Sequence, residues 1–340
     1  MLLVSLGSTA GWRSNDDALV ACLERAGATV TVARVKAPRE VRTLALTDYG
    51  WASAARTAAR EALAREPAAA VIYSTVTAAL LGPVPGAIRF DSLAAANRPG
   101  RHGPWQRPLE RRRLAQATIL LPLSQASLEG APPRHAPVVI VPVAVERSGP
   151  LVPFAERDIA AITYAANPHK KGLDRVLEAW VRARRDGEEL VVAGVADAPR
   201  ADGVRVVGLL PRSQYRALLR RSRLYVTAPR REDYGIAQLE ALADGCALVT
   251  TTAPGAYAAL EAAHRLDPRL VGADLAAAIR AALDEPREDY AKAATLELVP
   301  FSPESVDRVV ATELLPALRA LVPGAQPAPS TAACSRRPPR

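Results

Sequence analysis

With 340 residues, 49% hydrophobic and 23% charged, the chain has the composition of an ordinary globular protein and exceeds what one core usually covers, so two domains are expected. Its net charge of +9 comes from arginine, since only four of the 44 basic residues are lysines; this bias suits phosphate-bearing or acidic ligands and is weak support for a nucleic-acid partner. The three cysteines, Cys22, Cys246 and Cys334, lack CxxC spacing, which argues against a zinc cluster and fits a reducing cytosol, and no apolar run reaches the roughly 18 residues of a membrane span.

In the first half, short β-rich runs alternate with helical segments. The apolar start, without a positive leader, reads as a strand over residues 2–6, followed by a helix capped by Asn15 and Asp16 and running to 24. Strands follow at 29–35, 70–73, 87–90, 118–122 and 138–141, with helices at 52–64 and 108–116. Such alternation implies a parallel sheet covered by helices on both faces.

Pro142, Pro150 and Pro153 interrupt any regular element between 142 and 159, and this stretch reads as the hinge. The alternation then restarts, with strands at 159–164, 190–193, 204–207, 224–227 and 247–251 and helices at 173–185, 214–221 and 236–243. The expected architecture is α/β, with two Rossmann-like doubly wound parallel-sheet domains facing a cleft: 1–148, then 149–302. A late helix over 303–322, kinked near Pro316, is expected to return to the first domain, and the Pro- and Ala-rich stretch 323–340 reads as a disordered tail.

The stretch RREDYGIAQLEALADG carries the chemistry. At about 100° per residue, a helix from Ile236 puts Glu240 at the edge of the apolar stripe with Leu239 and Ala243, while Gln238 points the other way. A carboxylate there needs donors. Glu232 precedes the helix in the loop leaving the 224–227 strand. Gly235 lets backbone approach a ligand closely, and the first helical N–H groups favour an anion. Two acceptors flanking an anion site would suit hydroxyl-rich sugar on either side of a phosphate, although acidic residues near a helix start also occur without a ligand.

From 159 to about 283 the chain resembles the glycosyltransferase family 4 group of GT-B enzymes, through NPHKKGLDRVLEAW, ELVVAG and the run from Val204 to Thr251. The resemblance implies that Glu240 holds the nucleotide ribose and Glu232 contacts the donor sugar. Gly235 and Ile236 amides would lie near the sugar and diphosphate, Lys171 ahead of Gly172 would grip the diphosphate, and base contacts would come from loops such as the one at Gly194. A cation at Lys171 would offset the charge gained by the leaving diphosphate.

The chain also departs from that pattern. Ala165 and Ala166 stand where the family usually carries a phosphate-clamp arginine, and Arg89-Phe90-Asp91 offers the aspartate of a His-Asp pair without its histidine. His102 is a candidate substitute. The 89–113 segment is dense in cations, so a loop bearing Arg89, Asp91, Arg98, Arg101, His102 and Arg107 is expected at the cleft, supplying the missing cations or binding an anionic acceptor. A solvated basic loop and docking of Trp105 on anionic lipid are the alternatives. The loop from Gly7 to Gly11 would open the cleft in the same way, and it lacks the GxGxxG spacing of a dinucleotide fingerprint.

These residues and the resemblance lead to one expectation: transfer from a nucleoside-diphosphate sugar to an acceptor that is a sugar, lipid-linked or a small molecule, with retention implied by the resemblance alone. No metal and no other cofactor are expected, since no Asp-x-Asp occurs. The expected location is cytoplasmic, with peripheral membrane contact as an option. A catalytically degenerate nucleotide-binding relative is the first alternative. A basic nucleic-acid-binding protein is the lesser one, since three phenylalanines offer few stacking platforms.

Overall fold

The computed structural model describes residues 1–321 except 40, 42, 99, 101, 102, 134, 135 and 200, so the expectations for Arg101, His102 and the 323–340 segment lie outside the described residues. Two parallel five-stranded sheets organise the chain. The first contains β1 (Leu2–Ser5), β2 (Thr31–Arg34), β3 (Val71–Tyr73), β4 (Ala87–Phe90) and β5 (Leu120–Pro122), in the order β2-β1-β3-β4-β5. Around it lie α1 (Ala10–Arg25), α2 (Leu44–Arg65), α3 (Val76–Leu80), α4 (Ala94–Asn97) and α5 (Gln106–Gln116). Four of these strands are buried along their whole length and are mostly apolar, with Ser5 and Arg89 as the polar exceptions; β2, at the sheet edge, is largely exposed.

The second sheet contains β6 (Ile159–Tyr164), β7 (Leu190–Ala193), β8 (Val204–Gly208), β9 (Ser222–Thr227) and β10 (Ala247–Thr250), ordered β10-β9-β6-β7-β8. Its helices are α6 (Pro168–Lys171), α7 (Leu173–Ala183), α8 (Arg212–Arg221), α9 (Ile236–Ala243), α10 (Ala258–Leu266), α11 (Leu275–Asp284) and α12 (Tyr290–Glu297). In each sheet the strand order reverses once, between β1 and β3 and between β6 and β9. Ligands of doubly wound sheets enter at the carboxyl ends of strands beside such reversals.

Three expectations are corrected. Asn15 and Asp16 do not cap α1; Thr9 does, its hydroxyl accepting from the Trp12 amide, and the Asn-Asp pair is buried inside the helix. Residues 138–141 form no strand, because only Val138 bridges to Leu120. Helix α9 has no outward face: Gln238 is as buried as Leu239.

The chain ends in α13 (Pro303–Val309), a π-turn at Val310–Leu314 and α14 (Leu315–Arg319). Pro316 has no N–H to continue an α ladder, and the helix is widened directly before it. Val306, Val310, Leu314 and Leu318 are buried in one cluster with Leu3, Leu19, Leu23 and Val139, so this segment packs on the first sheet's layer. Arg25 pairs with Asp307 through both oxygens, at 2.6 and 3.0 Å.

Candidate active site

Both reversal points carry clustered polar side chains. At the β6/β9 reversal, Gly172 takes φ 66°, and a Cβ there would stand 1.9 Å from the Ala228 carbonyl oxygen. Only glycine lets the α6–α7 turn pack so closely on the end of β9. That turn delivers Lys171, whose Nζ donates to Glu232 Oε2 at 2.6 Å. Glu232 is buried, and the same oxygen accepts from Gln238 Nε2 at 2.8 Å. Thus the two expected site residues Lys171 and Glu232 meet, and Gln238, read from the sequence as pointing elsewhere, joins them. The adjacent Lys170 and Arg231 both pair with Asp233, and Arg231 reaches across to Ser92 Oγ of the first domain at 3.1 Å.

Gly235, at φ 91°, turns the chain into α9, and no side chain caps the helix start at Ile236. One turn further, Glu240 accepts from Arg212 Nε at 3.0 Å and Nη2 at 2.7 Å, and Arg216 Nη1 lies 3.3 Å away. All three contacts fall on Oε1. Arg216 is buried and held from behind by Asp244 Oδ2 at 2.6 Å and the Glu146 carbonyl at 2.8 Å, whereas the Arg212 side chain is 58% exposed. Sequence reading missed both arginines; their only signal is a basic helix preceding β9, with nothing to indicate which carboxylate each meets.

Glu240, Arg212 and Ile236 line a cavity of about 700 Å³ between the domains, closed on the other side by Gly11, Ser14 and Asn15 of α1. Tyr164 and Tyr215 form part of its wall, their ring centroids 5.2 Å apart. Gly194, at φ 87°, belongs to this neighbourhood: a Cβ there would strike the Tyr164 ring at 2.7 Å. Ala165 is fully buried, so no ligand-facing cation occupies its place.

A second cavity, of about 350 Å³, lies at the carboxyl ends of β1, β3 and β4 and includes Asp91, Arg98, Lys170 and Asp233. Asp91 is pushed up to about 6, first by loss of water and then by the Asp233 charge. Glu110 on its wall is pushed up to about 7 by burial, against the pull of the Ala94 and Ala95 amides. Lys171 and Glu232 line neither cavity.

Several cleft-loop residues sit differently from the expectation. Arg89 belongs to β4, is 1% exposed, and donates to Asn15 Oδ1 at 2.8 Å with Asp16 at 3.7 Å; burial pulls its pKa down. It is an internal counterion and not a loop cation. Arg98 is paired with Asp48, and Arg107 donates to the Gly100 and Gly103 carbonyls. Trp105 is half-buried, its indole bonded to the Ala45 carbonyl and edge-on to Tyr49. Gly7, at φ 57°, receives Arg13 Nη1 on its carbonyl, and Gly11 is within the first turn of α1.

Residues 152–296 match the family model described as Glycosyl transferases group 1. No curated protein sequence matches the chain. Among solved structures, sucrose-phosphate synthase from Thermosynechococcus elongatus is similar at TM-score 0.69 and 15% identity, over 90% of this chain and 96% of the other. WaaG, a glycosyltransferase involved in lipopolysaccharide biosynthesis, is similar at TM-score 0.65 and 16% identity, over 88% and 96%. The fold is GT-B. The pneumococcal O-GlcNAc transferase GtfA, solved with UDP and GlcNAc, shares it at TM-score 0.52 and 13% identity, over 74% of this chain and 56% of that one. The group 1 match supports sugar transfer in general terms. Among the described residues, no helix is long and apolar enough to cross a membrane, and no group of three His, Cys, Asp or Glu is arranged to hold a metal ion.

Proposed function

We propose that the chain is a retaining, metal-independent glycosyltransferase that binds a nucleoside-diphosphate sugar on its second domain and an acceptor on its first. One observation carries this reading: the uncapped start of α9 at Gly235 lies between the Lys171–Glu232 pair and Glu240, which opens onto the interdomain cavity. In this reading Glu240 accepts from the ribose hydroxyls, the α9 amides receive the diphosphate, and Lys171 moves towards it as the glycosidic bond breaks. Glu232, relieved of part of its ion pair, then holds a donor-sugar hydroxyl. A departing phosphate that takes the acceptor proton requires no protein nucleophile. Cys246, the buried thiol near this helix, is pushed up to about 12 by burial, which makes it inert.

Saturating UDP, GDP, ADP and TDP, added separately, test the reading. The matching nucleotide at a hundredfold excess over its Kd should stabilise the chain by about 2.7 kcal/mol, a melting shift of several degrees. The shift should survive EDTA, and Glu240→Ala should abolish both it and sugar transfer while leaving the circular dichroism unchanged.

The second reading, a degenerate nucleotide binder, is favoured by one arrangement: Glu240 is already engaged by Arg212 and Arg216, with alanine at 165. Nucleotide stabilisation without transfer or donor hydrolysis would select it.

A further inference from the structure

The smaller cavity limits what the acceptor can be. It abuts Lys170 and Asp233, the chain neighbours of Lys171 and Glu232, so a molecule held in it lies beside the donor groups of the proposed reaction. Carboxyl groups outnumber cations among the described residues of its wall. Among the described residues lining it are four carboxyl groups, Asp48, Asp91, Glu110 and Asp233, and two cations, Arg98 and Lys170.

Neither cation is free. Arg98 donates to both oxygens of Asp48, at 2.9 and 3.3 Å, and Lys170 pairs with Asp233. Asp233 is also held by Arg231 from outside the cavity. Glu110 places both oxygens on the Ala94 amide, at 2.8 and 2.9 Å, so the start of α4 is already occupied by an acid. A phosphoryl group entering here would meet two satisfied ion pairs and two further carboxyls, with its own water stripped away.

Hydroxyl groups face the opposite situation. Carboxylate oxygens accept from them, and Ser8, Thr9 and Thr75 add hydroxyl partners. Leu6, Phe90 and Trp12 supply apolar wall for the C–H face of a ring, and the Arg89 guanidinium lies 5.9 Å from the Trp12 ring centroid.

We propose that the acceptor is an unphosphorylated, hydroxyl-rich compound, a sugar or cyclitol without an acidic group. This rests on the glycosyltransferase reading above, and it reverses the anionic acceptor that the loop arginines suggested. The decisive experiment measures binding directly, on the full chain saturated with whichever nucleoside diphosphate stabilises it. Saturation-transfer NMR and calorimetry would compare glucose with glucose 6-phosphate, and myo-inositol with its 1-phosphate.

Each neutral member should bind at least about tenfold more tightly than its phosphate ester. Asp48→Asn, which frees Arg98, should narrow that gap by strengthening the ester. Tighter binding of the esters to the unaltered chain overturns the proposal; so does a gap indifferent to Asp48→Asn, or binding of neither class. Failure of every nucleoside diphosphate to stabilise the chain would instead remove the donor reading on which it rests.

Discussion

Buried charge sets the behaviour of individual residues here. Arg89 is tolerated inside β4 because Asn15 and Asp16 of α1 supply acceptors, and Asp16 is itself held by Ser5 Oγ at 2.6 Å. Glu110 meets the Ala94 and Ala95 amides and, more weakly, the Arg98 charge, but burial outweighs them and keeps its proton on up to about pH 7, against an ordinary value of 4.5. Between those values the native chain holds a proton that the unfolded chain has lost. Stability should therefore fall as pH rises through the window and level off above it. Urea midpoints from pH 4 to 8 check this: Glu110→Gln should flatten the slope between about 4.5 and 7.

Helices α8 and α9 are joined by a buried charge network that also aims Glu240. Arg216 lies between Glu240 and Asp244, and Asp244, fully buried, accepts from the Ser148 amide and hydroxyl. Removing the guanidinium leaves two carboxylates without their shared partner, so Arg216→Leu should cost about 3–5 kcal/mol. Adding Asp244→Asn should cost clearly less than the sum of the separate changes, because the two groups act as a unit. Additive losses in urea unfolding would refute the coupling. The same packing explains why α9 is buried beyond its first two residues: its polar side chains Gln238 and Glu240 meet Glu232, Arg212 and Arg216.

Chain order and domain membership part company at the level of the whole molecule. The last helical segment follows the second sheet, yet its Val306, Val310, Leu314 and Leu318 belong to the cluster of Leu3 and Leu19. A core truncation such as Leu314→Ala should cost about 2–5 kcal/mol. Hydrogen exchange should accelerate in Leu2–Ser5 and Ala10–Arg25 and remain unchanged in Ile159–Tyr164. This segment and the Arg231–Ser92 contact both cross between the halves, as does the Val143 amide that donates to the Tyr234 hydroxyl.

The five strands of each sheet and several of the longer helices could be read directly from the chain, since apolar runs and helical periodicity are local signals, whereas α10, α11 and α12 were not read and 138–141 was read as a strand it does not form. The stretch holding Glu232 and Glu240 was legible for a related reason: glycine, helix start and carboxylates are set by spacing within sixteen residues. What the acids and arginines meet was not legible. Arg89 finds Asn15 over a separation of 74 positions, Arg98 finds Asp48 over 50, and Arg212 finds Glu240 over 28. A dense basic loop and a row of satisfied ion pairs have the same sequence. Only folding, which brings distant strand ends to one edge and removes the water between their charges, decides which cations remain for a ligand.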